Sequence, residues 1–269
     1  MFSINDECIK CGLCSELCPA KIIKFKKGSY PAVAPKTEER CIKCGQCVCF
    51  CPTGAAHLSF QTEEERVSVR AESIPRGEAA EIFLRSRRSI RRFKDQSLDD
   101  ELVRRILEST RFAPSASNSQ PVRWIVTRKR ETLLELGLVT AAHFINSPDG
   151  DEARQQHLAA VASAQIKGRD IIFRGAPQLA LAVVKRSYHY PEDAAIALTY
   201  FELAAHALGI GCCWAGYFTS AARTSPALWK ALNLKSDELV VGGQMFGWPK
   251  EPPLAKILPP RRAIDLSWL

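Results

Sequence analysis

Two stretches near the N-terminus repeat one cysteine pattern: Cys8-Ile-Lys-Cys11-Gly-Leu-Cys14-Ser-Glu-Leu-Cys18-Pro19 and Cys41-Ile-Lys-Cys44-Gly-Gln-Cys47-Val-Cys-Phe-Cys51-Pro52. In each stretch, two residues separate the first three cysteines from one another, and a fourth cysteine precedes a proline. Both stretches open with Cys-Ile-Lys-Cys-Gly. This part of the chain is therefore an internal duplication.

The spacing is that of thiolate ligands to cubane iron–sulfur clusters. Three such thiolates wrap one turn of chain around a cluster, and Gly12 and Gly45 allow a close approach of the backbone. The fourth cysteine points away and serves the other cluster. The sequence therefore predicts two [4Fe-4S] clusters, the first held by Cys8, Cys11, Cys14 and Cys51 and the second by Cys41, Cys44, Cys47 and Cys18.

Zinc sites and disulfides are the alternatives for so many cysteines. Two sets of four, each closed by a proline, exceed what zinc needs. No signal peptide precedes the first cysteine, which disfavours a disulfide framework and favours a reducing, cytoplasmic location. Cys49 lies outside the pattern, and we interpret it as a small buried residue.

Residues 1–60 resemble a bacterial two-[4Fe-4S] ferredoxin. The chain has 269 residues, of which 46% are hydrophobic, and this is enough for a second domain with a sizeable core. The segment after Phe60 is polar and interrupted by proline and glycine, as linkers are. We therefore predict a two-cluster domain over 1–60, a linker over 61–80 and a second domain over 81–269.

Beyond the linker, helical and strand patterns are mixed, which predicts an α+β domain with one mostly buried sheet. The predicted strands are 122–127, 178–184 and 238–243, and the predicted helices are 98–110, 151–174 and 192–208. The apolar stretch 194–218 contains Glu202 and His206 and is broken by glycines. It is therefore predicted to be a buried helix and a strand, and no membrane association is expected.

The net charge is +8, and five arginines lie within Arg85-Ser-Arg-Arg-Ser-Ile-Arg-Arg92. Such a cluster can bind nucleic acid, but no helix-turn-helix, zinc-finger or RNP pattern accompanies it, so no nucleic-acid partner is expected. A compact phosphate site is favoured, because guanidinium groups bind phosphate oxygens in pairs of hydrogen bonds. A solvated basic face is the remaining alternative.

Four segments in order extend this observation: Ser89-Ile-Arg-Arg-Phe93, Arg111-Phe-Ala-Pro-Ser-Ala-Ser-Asn-Ser-Gln-Pro121, Ala207-Leu-Gly-Ile-Gly-Cys-Cys-Trp-Ala-Gly216 and Gly242-Gly-Gln-Met-Phe-Gly-Trp-Pro249. Together they resemble the nitroreductase family of flavin enzymes. The resemblance implies a nitroreductase-like α+β FMN domain with a central, mostly antiparallel sheet.

The resemblance also implies site residues. FMN phosphate and ribityl contacts are expected from Arg87, Arg88, Ser89 and Arg91 and from the basic tail residues Arg261 and Arg262. Flavin contacts across a dimer interface are expected from Pro114, Ser115, Ser117, Asn118 and Gln120, and a backbone approach to the flavin ring from Ala215 and Gly216. Many family members carry an acidic residue where this chain has Ala215, which leaves the nicotinamide and substrate contacts open.

The leading interpretation is a cytoplasmic oxidoreductase that passes electrons from its clusters, or from NAD(P)H, through FMN to a nitroaromatic, quinone or similar electron-poor small molecule. No side chain is predicted to be catalytic, because the flavin N5 carries the chemistry. The alternatives are a reductive dehalogenase-type or flavin-modifying enzyme of the same fold, and a subunit that relays electrons to a redox partner protein.

A homodimer is also expected. The resemblance implies it, and an apolar helix face supplies a surface that a dimer could bury. That face contains Ala195, Leu198, Phe201 and Ala205.

Overall fold

The two cysteine repeats adopt the same backbone conformation. Lys10 and Lys43 have positive φ angles of 54° and 55°, and Gly12 and Gly45 follow at 79° and 74°. Glycine suits this left-handed turn because it has no Cβ. A short helix follows each glycine: α1 over Leu13–Leu17 and α2 over Gln46–Cys49. The duplication in the sequence is therefore also a duplication of the backbone.

The structure, a computed structural model, describes residues 1–147, 150–251 and 256–269. Its first compact unit contains Met1–Pro75 together with Ser117–Ser119. Four short strands accompany the two helices: β1 Phe2–Ile4, β2 Ile23–Lys24, β3 Ala32–Val33 and β4 Ala56–Leu58. β1 pairs with β4 and β2 with β3, both antiparallel. A small unit of this kind buries little apolar surface, so bound clusters would contribute to its stability.

Part of the predicted linker packs on the first unit. The Arg66 guanidinium donates to the carbonyl oxygens of Gly54 at 2.8 Å and of Ala56 at 3.1 Å. A 3-10 turn over Ala71–Ser73 follows, and helix α3 occupies Glu78–Ser86. The domain boundaries at residues 60 and 80 stay a prediction.

The second compact unit contains Arg76–Ala116 and Gln120–Leu269 and is built on one sheet. Its strands lie in the order β5-β6-β8-β7, and all three pairings are antiparallel. Their bounds are β5 Arg123–Val126, β6 Gln178–Lys185, β7 Gly211–Trp214 and β8 Glu238–Gly247. The predicted α+β class and antiparallel sheet are confirmed.

Helices cover both faces of this sheet. They are α4 Asp100–Thr110, α5 Arg130–Asn146, α6 Glu152–Ile166, α7 Glu192–Ala207, α8 Gly216–Ala222 and α9 Pro226–Ala231. Along β6, Leu181 and Val183 pack with α5, α6 and α8, whereas Ala180 packs with α4 and α7. Alternate residues of a strand face opposite sides, so β6 contributes to both cores.

Two details of the predicted second domain are wrong. The helix expected over 151–174 ends at Ile166, because the Gln165 side chain accepts the backbone N–H groups of Ile171 and Ile172 at 3.1 and 3.3 Å and directs the chain into a loop. The apolar face proposed for dimer contacts is also not at the surface. Its residues Leu198, Phe201 and Ala205 are fully buried against their own sheet.

Within the described part of the chain, no helix is both long enough and apolar enough to span a membrane.

Candidate functional site

The repeat cysteines line two separate cavities in the first unit. One cavity is lined by Cys8, Cys11, Cys14 and Cys51, and the other by Cys18, Cys41, Cys44 and Cys47. These are the two ligand sets that the spacing predicts. Each repeat contributes three cysteines to one cavity and its fourth to the other.

Four thiols around each cavity match the four thiolate ligands of a [4Fe-4S] cluster. All eleven cysteines are free thiols. Over residues 1–147, 150–251 and 256–269, no group of three or more His, Cys, Asp or Glu is arranged to hold one metal ion.

Burial sets the proton affinity of the cavity thiols. It raises the pKa of Cys47 to about 11 and also raises that of Cys14. Burial acts on Cys51 in the same sense, but backbone N–H groups of Ala56 and Thr53 more than offset it, so the pKa of Cys51 is lowered. Because iron binds thiolates, these N–H groups favour the ligand form of Cys51.

Cys49 does not behave as predicted. It is exposed and lines neither of these two cavities. The interpretation of Cys49 as a buried residue is wrong, because its place in the short helix α2 turns it outward from the cysteines that face the cavity.

We call residues 85–92 the arginine segment. It starts at the end of α3 and then lies along β7, at the edge of the second unit's sheet. Ser89 forms a parallel bridge with Cys212, and the Ile90 N–H donates to the Cys212 carbonyl oxygen at 2.9 Å. A Cβ on Gly211 would lie 2.8 Å from Ile90, so glycine at this position permits the close approach. The backbone that carries the predicted phosphate residues is therefore fixed to the sheet.

Arg88 is the centre of a group of arginines, and its Nη2 atom donates to the Arg85 carbonyl oxygen at 2.7 Å. Among the described residues its Nε atom is buried with no hydrogen-bond partner. Partial burial, and then the charges of Arg261 and Arg87, lower the pKa of Arg88. A phosphate would supply both the missing acceptor and the opposing charge, so Arg87, Arg88 and Arg261 fit an FMN phosphate. We refer to these three residues as the phosphate centre. Arg262 is exposed beside Arg261.

A buried carboxylate anchors the phosphate centre. Glu202 Oε1 accepts Arg87 Nη1 at 2.7 Å, and Glu202 Oε2 accepts Gln244 Nε2 at 3.4 Å. His206, one turn further along α7, contacts Ser86 Oγ at 3.0 Å, and burial followed by the charges of Arg87 and Arg88 lowers its pKa. In the sequence, Glu202 and His206 argue against a membrane span, and no site role was predicted for either residue. The presence of two polar side chains in so apolar a helix was the sequence feature that could have indicated a site here.

A cavity of about 440 Å³ lies at the other end of the arginine segment. It brings together two members of the predicted flavin set, Arg91 and Gly216. Gly216 is the first residue of α8, so its N–H has no intrahelical partner and is available to a ligand. Ala215 is fully buried, and its N–H donates to the Gly243 carbonyl oxygen at 2.9 Å. The ligand-facing backbone is therefore that of Gly216.

Other residues of this cavity were not identified from the sequence. Cys213 and His157 both line it, and neither belongs to the predicted flavin set. The remaining side chains come from α6, the loop before β6, strands β7 and β8, and α8: Arg154, Leu158, Ile172, Arg174, Trp214, Met245, Tyr217 and Ser220. They are scattered along the chain with no common spacing, so no motif marks them.

The second predicted flavin segment lies elsewhere. Pro114, Ser115 and Gln120 line a different cavity, of about 230 Å³, together with Trp124 and Asp193. The Asp193 carboxylate accepts the Ala116 N–H at 2.8 Å, and Ser115 Oγ accepts the Gln120 N–H at 3.0 Å. We call residues 114–120 the proline loop. Neither of these two cavities is lined by both the proline loop and the arginine segment.

The proline loop has an uncommon backbone. Ser117, Asn118 and Gln120 have positive φ angles of 51°, 55° and 45°. Within the first unit, Asn118 Nδ2 donates to the carbonyl oxygens of Ile42 at 3.0 Å and Lys43 at 3.2 Å. Left-handed backbone is costly for serine and glutamine, so the surrounding structure must hold the proline loop in this conformation.

Comparison with known families identifies both parts of the chain. The nitroreductase family profile matches residues 84–248, and the 4Fe-4S dicluster domain profile matches residues 7–68. The first match covers more than half of the 269 residues. The chain therefore belongs to the nitroreductase family and carries a 4Fe-4S dicluster ferredoxin domain before it, as predicted.

Individual relatives agree with this assignment. A protein of Archaeoglobus fulgidus, provisionally named NADH dehydrogenase/NAD(P)H nitroreductase, is 31% identical over 168 residues, which are 62% of this chain and 83% of that protein. The nitrobenzene nitroreductase of Ectopseudomonas oleovorans is 26% identical over 198 residues, which span 62% of this chain and 85% of that protein.

Solved structures show the same fold. A nitroreductase of Bacteroides fragilis with bound FMN has a TM-score of 0.60 at 21% identity. The aligned region covers 72% of this chain and 100% of the Bacteroides fragilis chain. A nitroreductase of Desulfitobacterium hafniense with bound FMN has a TM-score of 0.55 at 22% identity and covers 70% of this chain and 96% of its own.

Proposed function

We propose that this protein passes electrons from its [4Fe-4S] clusters, or from NAD(P)H, through FMN to a nitroaromatic, quinone or similar electron-poor small molecule. It is a flavin-dependent oxidoreductase whose cofactors are FMN and two [4Fe-4S] clusters. The observation that carries the proposal is the presence, in one chain, of two complete four-cysteine cavities and a phosphate centre with a buried, unpartnered Arg88 Nε.

Bound clusters supply single electrons, and bound FMN exchanges one or two, so the pair can join a one-electron donor to a two-electron acceptor. The chain's own residues position these groups. Arg87, Arg88 and Arg261 hold the phosphate, and Ser89 lies beside them on the same segment. Arg91 and the Gly216 N–H face the flavin. No side chain is assigned a catalytic role.

The names of the relatives favour a nitroaromatic acceptor. The Ectopseudomonas oleovorans protein is named for nitrobenzene, and the Archaeoglobus fulgidus protein is named for NADH and NAD(P)H. A nicotinamide nucleotide is therefore a second candidate electron donor besides the clusters, although the sequence has no glycine-rich dinucleotide fingerprint.

The proposed active form is a homodimer with its flavin sites between subunits. The arginine segment and the proline loop line different cavities, so a second copy would be needed to complete each site. An exposed apolar face suits such a contact, because large apolar patches on soluble proteins commonly mark interfaces. This face contains Phe83, Phe112, Tyr200, Leu203, Ala204 and Ala207.

The function is tested with anaerobically purified full-length protein. NADH and NADPH are offered in separate assays, and a third sample is photoreduced before nitrobenzene or a benzoquinone is added. We expect reduction of the acceptor and reoxidation of the flavin absorbance. Turnover with a nucleotide identifies it as the donor. Turnover only after photoreduction, and its loss in Cys44→Ser, identifies the clusters as the donor.

Absence of turnover under all three conditions would contradict the proposed reaction. It would favour a subunit that relays electrons to a redox partner protein. A purified protein without flavin absorbance would contradict the FMN site itself.

A further inference from the structure

The second unit carries two basic centres, although FMN has only one phosphate. The phosphate centre is the first. The second is the wall of the 440 Å³ cavity, where Arg91 and Arg174 come together and where the described lining residues include no Asp or Glu. Arg154 also lines this cavity, but it already has an interaction partner. Arg91 belongs to the predicted flavin set, but Arg154 and Arg174 do not. Like charges gathered in one cavity favour an anionic ligand.

The loop before β6 gives Arg174 an uncommon backbone conformation. Arg174 has a φ of 56°, a left-handed conformation that a non-glycine residue adopts at a conformational cost. Asp170 fixes the loop on both sides: its Oδ1 accepts the Phe173 N–H at 2.9 Å and its Oδ2 accepts the Gly175 N–H at 2.8 Å. The Phe173 side chain is fully buried. A strained residue held by its surroundings is typical of a binding site.

Arg174 acts on the same cavity wall as Arg91. Burial raises the pKa of the Cys213 thiol, and the charges of Arg91 and Arg174 oppose that rise. Both guanidinium groups are therefore close enough to affect one side chain that lines the cavity. The cavity thus has a fixed positive charge at a defined place, not only a basic rim.

The remaining wall suits a flat, polar ring. Trp214 lines the cavity and is 40% exposed, which leaves part of the indole available for contact. Tyr217 and His157 also line it, and the Tyr217 hydroxyl lies 2.8 Å from His157 Nε2. The wall therefore combines an aromatic surface with hydrogen-bonding groups.

We infer that the acceptor reduced by this protein is an aromatic compound bearing a carboxylate, and that Arg174 binds the carboxylate. The guanidinium fork matches a carboxylate with two parallel hydrogen bonds. This inference rests on the proposed function and specifies its substrate class. No bond is formed or broken at Arg174, so its role is to position the acceptor.

The test compares 4-nitrobenzoate with its neutral analogue 4-nitrobenzamide. Binding of each to the oxidised, FMN-loaded full-length protein is measured by isothermal titration calorimetry, without turnover. We expect tighter binding of 4-nitrobenzoate, and we expect Arg174→Gln to weaken that binding about tenfold to a hundredfold, because the charged contact to the carboxylate is lost. Binding of 4-nitrobenzamide should change less than about twofold.

Two further variants test whether the effect depends on the position of the lost charge and on the shape of the group that carries it. Arg104→Gln removes the same charge from an exposed position on α4 and should leave both affinities unchanged. Arg174→Lys keeps the charge and should recover part of the affinity for 4-nitrobenzoate, without the paired geometry. FMN content should be equal in all variants.

Three results would overturn the inference. In the first, Arg174→Gln weakens the binding of both ligands equally. In the second, Arg104→Gln weakens the binding of 4-nitrobenzoate as much as Arg174→Gln does. In the third, Arg174→Gln loses FMN, which would assign Arg174 to the cofactor. Charge-selective binding without reduction would support the carboxylate site and count against the proposed function, so the two failures are distinguishable.

Discussion

The two kinds of cofactor site in this chain are specified in different ways. Each cluster cavity is lined by four cysteines that all fall between Cys8 and Cys51. The residues predicted to bind flavin are spread from Arg87 to Arg262, and several of them line two separate cavities. A cluster site is therefore complete within one short segment. The flavin site depends on the whole fold and, in the proposed dimer, on a second copy.

The largest expected effect concerns the completeness of the cluster cavities. Cys18→Ser removes one ligand from the cavity of Cys41, Cys44 and Cys47, and we expect iron content to fall from about eight to about four per chain. Anaerobic iron and sulfide analysis, with electron paramagnetic resonance of the reduced protein, measures the loss. The matched control is Cys49→Ser, which should keep all the iron because Cys49 lines neither of these cavities.

Loss of the cluster held by Cys8, Cys11 and Cys14 in Cys18→Ser would show that each repeat ligates its own cluster. That result would reject the exchange of fourth cysteines.

The second expected effect concerns the division of the flavin site between copies. One tagged chain carries Arg88→Ala with Arg261→Ala, and a differently tagged chain carries Ser115→Ala with Gln120→Ala. Each homodimer should bind FMN weakly. In the mixed dimer, one of the two sites keeps both intact segments, so about half of the chains should bind FMN with wild-type affinity.

Fluorescence titration of doubly tag-purified mixed dimers measures this fraction. If both segments act within one chain, no site in the mixed dimer is intact, and tight binding will be absent.

A smaller effect is expected from the phosphate centre alone. Arg88→Ala removes one charged contact and should weaken FMN binding about tenfold to a hundredfold. Arg92→Ala is the matched control, because Arg92 is exposed and its Nη1 pairs with Glu251 at 2.6 Å. Equal affinities of the two variants for FMN, measured by equilibrium dialysis, would remove the phosphate assignment.

The smallest expected effect tests the local geometry of the first repeat. A Cβ at Gly12 would lie 2.5 Å from the Phe25 ring, whereas one at Gly28 would meet nothing within 4 Å, and both glycines have positive φ. Gly12→Ala should therefore destabilise the first unit by about 1–2 kcal/mol more than Gly28→Ala does. Anaerobic thermal bleaching of the cluster absorbance measures the difference. Equal midpoints in the two variants would mean that the Phe25 contact relaxes freely.

The sequence predicted what is local and missed what the fold assembles. The cysteine sets are confined to two short repeats, and spacing alone predicted how they divide between the cavities. Helix α5 was not predicted, because its apolar residues do not form one face: Leu133 and Leu136 are buried, whereas Leu134 and Leu138 are exposed. Periodicity detects a helix only when one face differs from the other.

The same limit applies to the candidate site. Arg87 and Arg88 lie in a recognisable segment, but their anchor Glu202 is more than a hundred residues away. Arg174 lies in a loop whose conformation depends on the Asp170 side chain. The dimer face was misassigned for a related reason. Helix α7 is apolar on most sides, and sequence alone could not tell which side the sheet would cover.

The exchange of fourth cysteines sets an order of completion during synthesis of the chain. Ribosomes make proteins from the N-terminus, and early segments can fold before later ones exist. The cavity of Cys18, Cys41, Cys44 and Cys47 has all its ligands once Cys47 has emerged. The cavity that begins at Cys8 must wait for Cys51. The cluster that takes its first ligand nearest the N-terminus is thus the second to have a complete ligand set. Its first three thiols lack their fourth partner until the duplicate repeat has been made.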